Sequence, residues 1–110
     1  MREINESDWK VLRQLHSAAL ERFCKQVLLE VKRVNSDHTQ TFHERYLEIW
    51  KVLKQRDEEM AQAFDDLKRS RALTMIAGLH KRGLLTEKGL TQFSEETRGV
   101  IDGMLRVRRK

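Results

Sequence analysis

A chain of 110 residues with 39% hydrophobic and 35% charged side chains is long enough for one domain with a modest core and too short for two. It has no proline, and Cys24 is its only cysteine, which excludes an intrachain disulfide framework and disfavours a turn-rich β fold. The formal charge of +5 suggests a nucleic-acid footprint until it is located: Arg106, Arg108, Arg109 and Lys110 carry four of the five charges, and residues 1–105 hold 18 basic and 17 acidic side chains.

The first helix has a readable start. Asn5 is placed to cap it, Asp8 stands at its third position, and Ile4 and Trp9 have the spacing of a hydrophobic staple. Apolar residues continue through Leu12, Leu15, Ala19, Leu20, Phe23, Val27, Val31 and Val34, but in two phases. Leu12, Leu15 and Ala19 centre near about 95° on the helical wheel, and Leu20 to Val34 near about 180°. Either the helix breaks near His16-Ser17, with Ser17 as a new cap, or it buries an unusually wide face. Cys24, between Phe23 and Val27, reads as a small buried hydrophobe. Asn35-Ser36-Asp37 then closes one helix and opens the next.

The following segment carries the strongest pattern in the chain. Phe42, Tyr46, Ile49, Leu53, Met60, Phe64 and Leu67 fall within roughly 60° of one another at 100° per residue. This predicts one long amphipathic helix over about 38–68, roughly 45 Å from end to end. Such a helix is too long for a spherical monomer of this size, so either the molecule is an elongated bundle or part of the helix packs on another subunit. Arg56-Asp57 interrupts the stripe, as a polar pair at the seam edge or as a register-setting element of an oligomer seam.

A change of phase predicts a break between Asp65 and Ser70, with Ser70 capping a helix that carries Ala72, Leu73, Ile76 and Leu79. Gly83 stands where a C-terminal glycine belongs, after Lys81 and Arg82. Leu84-Leu85 returns to the core and Thr86 opens a new turn. Leu90, Phe93, Thr97, Ile101 and Met104 share one phase, which predicts a last helix over about 87–106, with Ser94 as an alternative start. Gly99 and Gly103 on its opposite face weaken it. The architecture expected is an all-α, elongated bundle of four to five helices, a single domain over 1–105 followed by a loose basic tail at 106–110.

No motif reaches the specificity of a catalytic or ligand signature. His16, His38, His43 and His80 lack the i, i+3 or i, i+4 spacing that pairs metal ligands on one helix face, and Glu44 and Glu48 are not followed by the histidine of a di-iron Glu-x-x-His pair. The clusters Asp57-Glu58-Glu59 and Asp65-Asp66 read as solvated helix faces, and no glycine-rich phosphate loop follows a strand. No enzyme activity, cofactor or metal is expected. No apolar run approaches the ~20 residues of a membrane span, and the start lacks the apolar region of a signal peptide, so the cytoplasm is the expected compartment.

Association is the leading expectation. Tyr46, Ile49, Trp50 and Leu53 form the expected contact surface, because aromatic side chains concentrate at interface centres, and a homodimer or another protein is the expected partner. The alternative is a nucleic-acid-binding accessory role for Arg69, Arg71, Lys81 and Arg82 together with Arg106, Arg108, Arg109 and Lys110. The segment from Ser70 through Gly83 to Glu87 has helix-turn-helix spacing, but Glu87, Glu95 and Glu96 on the element after the turn would oppose phosphate.

The segments Asp8-Trp9-Lys10 and Ala19-Leu20-Glu21-Arg22-Phe23-Cys24 resemble the N-terminal signature of small uncharacterised bacterial helical proteins. The resemblance covers about the first quarter of the chain. It implies a helical cytoplasmic protein and transfers no function or site.

Overall fold

Asn5 caps the first helix as its position predicts: its side chain accepts the Asp8 amide at 2.8 Å, and helix α1 runs from Glu6 to Asn35. In the computed structural model, which describes residues 3–108, α1 is followed by α2 (Phe42–Phe64), a 3-10 turn (Arg69–Arg71), α3 (Ala72–Lys81), the single turn α4 (Glu87–Leu90) and α5 (Glu95–Arg108). The described residues contain no strand, and the fold is all-α.

The longest helix is α1, with 30 residues, while the segment expected to be helical over 38–68 yields a helix of 23. Local chemistry trims that segment at both ends. Asp37 folds its carboxylate back onto the amide and hydroxyl of Thr39, a side-chain turn that competes with helix. Helix α2 therefore starts after Thr41, which exchanges capping-box hydrogen bonds with Glu44 at 2.8 and 3.0 Å. At the other end Asp65 is extended and Asp66 takes a positive φ of 65°, a region that stops a helix.

No break occurs at His16-Ser17. The two phases of α1 exist because it meets two partners in succession. Its N-terminal half faces the small helices: a Cβ on Gly89 of α4 would stand 3.3 Å from a Leu15 methyl, and the buried Asp8 carboxylate accepts the Ser94 amide at 2.9 Å and the hydroxyls of Ser94 and Thr97 at 2.7 and 2.6 Å. Its C-terminal half faces α2. Arg45 donates to the Asn35 carbonyl at 2.6 Å, and Arg56 to Glu30 at 2.9 Å. Phe64 meets Phe23 edge to face, with ring centroids 5.8 Å apart. These three pairs define an antiparallel helical hairpin.

The core lies at the open end of that hairpin, away from the loop that joins α1 to α2. Leu12, Ile76, Leu79 and Leu84 are fully enclosed, with Ala19, Phe23, Phe64, Phe93 and Ile101 around them. Gly83, with φ 73°, provides the left-handed turn after α3 that returns Leu84 and Leu85 to the core. Thr86 caps α4 by accepting the Gly89 amide at 2.9 Å. Ser70 lies inside the 3-10 turn and caps nothing. The helix expected over 87–106 is two, because Ser94 is recruited by Asp8 and its hydroxyl also receives the Thr97 amide at 3.3 Å. The stretch expected to be loose from 106 is helical through Arg108.

An alanine at Gly99 or Gly103 meets no atom within 4 Å. Each substitution is therefore expected to stabilise α5 by about 0.5–1 kcal/mol through helix propensity alone, seen as a higher thermal midpoint.

Beyond the core the hairpin projects. Between Val27 and Val52 only Arg45 is buried. The molecule measures 53 × 31 × 24 Å, with a radius of gyration of 16.9 Å against about 13 Å for a compact chain of this length.

Candidate interaction surface

Local hydrogen bonds organise the projecting hairpin. The Asp37 turn and the Thr41–Glu44 capping box fix the loop between α1 and α2. Arg45, buried beneath the loop, places its guanidinium on the last carbonyl of α1 and 4.8 Å from the Phe42 ring centroid, satisfying a helix C-terminus that would otherwise present a bare acceptor. Lower down, Arg56 joins Glu30 and Glu59, and Arg82 approaches Glu59 at 3.8 Å. The hydrogen bond from Arg56 holds the Glu30 carboxyl below its ordinary range. Arg56 thus belongs to the seam inside the chain, while Asp57 faces solvent.

That seam does not use the apolar stripe as expected. The α2 residues turned to α1 are Arg45, Val52, Arg56 and Ala63, centred roughly 70° around the helix from the stripe. Only the lower end of the stripe reaches the core: Phe64 is buried, and Met60 and Leu67 are partly so. The upper end faces water, with Phe42 85%, Tyr46 63%, Trp50 55% and Leu53 46% exposed. The reason is that α1 is one cylinder and covers one side of α2; α3, α4 and α5 reach only the open end of the hairpin, where α1 begins and α2 ends.

Tyr46, Ile49, Trp50 and Leu53, the four residues expected to form a contact surface, are brought together along one open trough of about 600 Å³, bordered by Lys54, Asp57 and Glu58. The Lys54 ammonium lies 5.8 Å from the Trp50 ring centroid. Leu28 of α1 is also exposed, at 66%. It stands about 100° onward from the α1 seam, as Tyr46 stands from the α2 seam, and in an antiparallel pair equal rotations lead to the same side. The signal for it was the run Val27-Leu28-Leu29, three adjacent apolar residues that one helix face cannot bury together.

No protein-family model, curated protein or solved structure matches this chain.

The cations of the alternative reading are dispersed. Arg69 donates to the Ile4 carbonyl at 3.0 Å and pairs with Glu6 at 2.9 Å, Arg71 pairs with Asp66 at 3.3 Å, and Arg82 faces Glu59. Lys81 and Arg106 are exposed. Arg69 and Arg71 precede α3, whereas Lys81 and Arg82 end it, about 15 Å of helix away. Arg108 ends α5; Arg109 and Lys110 lie outside the described residues.

Among the described residues no three His, Cys, Asp or Glu side chains are placed to hold a metal ion, and no helix is long and apolar enough to cross a membrane. His16 Nε2 bridges to the Phe64 carbonyl at 3.0 Å, a structural role. Cys24 is a half-buried free thiol.

Proposed function

We propose that this protein is a non-enzymatic interaction or assembly module that associates with a second copy of itself through the exposed face of α2. One observation supports this above the rest: Phe42, Tyr46, Trp50 and Leu53 stand in water together on a projecting hairpin. They leave on the order of 500 Å² of surface uncovered, toward the upper end of what ordinary monomers show. Scattered apolar residues need no explanation, but a contiguous patch centred on tryptophan and tyrosine has the composition of an interface core. Its border of Lys54, Asp57 and Glu58 has the polarity of a rim.

A nucleic-acid role has less support, because three of the four cations around α3 already face carboxylates of the same chain. Salt-dependent DNA binding that is lost on deleting residues 106–110 would favour it instead.

The test of self-association is Leu53→Asp. Because Leu53 supports little of the fold, the variant should unfold within about 0.5 kcal/mol of the parent, as surface substitutions do. Its solution mass should fall to that of a single chain under conditions where the parent pairs. A variant that keeps the mass of its parent would refute this surface.

A further inference from the structure

Two copies that meet through α2 must choose a direction, and the distribution of charge along the face distinguishes the choices. Phe42 and Tyr46 lie near the N-terminus of α2, with His43 beside them. Asp57 and Glu58 lie near its C-terminal end, and neither has an ion-pair partner among the described residues. The N-terminal end carries the positive pole of the helix dipole. The bulk of the protein is attached at the acidic end, where Phe64 enters the core.

From these features we infer that the α2 helices of two copies pair antiparallel across a two-fold axis passing between Ile49 and Trp50, so that two hairpins form an intermolecular four-helix bundle. This rests on the self-association reading above and adds its geometry. In this arrangement Tyr46 meets Leu53 of the other copy, Trp50 packs at the centre, and Asp57 lies against the His43 end of its counterpart. Every contact occurs twice, as an isologous interface requires. A parallel pair would set Asp57 on Asp57 and Glu58 on Glu58, a like-charge juxtaposition that costs affinity. It would also align the two helix dipoles and place both helical cores side by side at one end. The apolar face is symmetric enough for the antiparallel register: the spacing from Phe42 through Tyr46 to Ile49 is answered by that from Asp57 through Leu53 to Trp50. The area also fits. Roughly 500 Å² of surface per copy, widened by the Lys54 and Asp57 rim, approaches the ~800 Å² per partner of a standard specific interface.

Cross-linking reads this direction. In chains carrying Cys24→Ser, one protein receives His43→Cys and another Asp57→Cys, both at the edge of the face. The antiparallel register brings position 43 beside position 57 of the other copy, but leaves 43 and 43, or 57 and 57, about 20 Å apart along the helices. A short bis-maleimide should therefore give severalfold more covalent dimer in the mixture than in either protein alone. Equal cross-linking of the Asp57→Cys protein by itself would establish a parallel pair and overturn the inference while leaving self-association intact. A dimeric mass with no cross-link in any sample would overturn it too, by locating the contact elsewhere. A monomeric mass for the parent chain would remove the self-association reading together with its geometry.

Discussion

Replacing Asp8 by alanine is expected to lower the unfolding free energy by about 3 kcal/mol, among the largest effects of any single substitution in this chain. The side chain is 2% exposed and accepts the Ser94 amide, the Ser94 hydroxyl and the Thr97 hydroxyl. Its removal leaves three enclosed donors at the start of α5 without an acceptor, and detaches α5 from α1. Asp8→Asn, which keeps one acceptor oxygen but loses the charge, should cost less. Burial pushes the Asp8 carboxyl up, yet the hydrogen bonds from Thr97 and Ser94 outweigh it and hold the group below its ordinary value. A depressed folded pKa contributes stability that is complete above the unfolded value of about 3.9 and is lost as pH falls through the folded value. Urea titrations of Asp8→Ala and its parent should therefore differ fully at neutral pH and converge progressively below about pH 4. Equal midpoints at neutral pH would show that the carboxylate does not clamp α5.

Phe64→Ala should be comparably damaging, at about 3–4 kcal/mol. The ring is buried at the point where α2 enters the core, edge to face with Phe23 at 5.8 Å and with His16 at 5.3 Å. Its loss removes both aromatic contacts and opens a cavity beneath the hairpin, where α1 and α3 cannot close without moving α2. Phe42, an equally large ring on the same stripe, is 85% exposed, and Phe42→Ala is expected to leave the urea midpoint nearly unchanged. The contrast separates the part of the stripe that holds the fold together from the part that faces outward. Similar losses for the two variants would contradict that division.

Much of the fold was legible because it is written locally. Asn5, Thr86 and Gly83 act at the ends where their chemistry placed them, and the all-α class followed from periodicity and the lack of proline. What local signals could not supply was which helix covers which. The seven-residue stripe of α2 looks continuous on a wheel, yet its lower end packs on Phe23 while its upper end faces water. That difference depends on α3, α4 and α5 reaching only one end of the hairpin. The change of phase in α1 was visible but ambiguous, since a break and a succession of two partners leave the same pattern. The true seam was hidden because its members include Arg45 and Arg56, whose burial depends on a helix C-terminus and on Glu30 across the hairpin. The grouping of Tyr46, Ile49, Trp50 and Leu53 needed only helical spacing and was legible. Leu28 lies on the same side of the hairpin but on another helix, and placing it there required the antiparallel pairing of α1 with α2.

Coverage of the outward face of α2 by a second copy is tested most directly by solution mass, measured by light scattering over a dilution series from high to low micromolar concentration. A mass near twice the 13.1 kDa of one chain is expected at the upper end, falling toward one chain on dilution. A mass of a single chain at every concentration would contradict it.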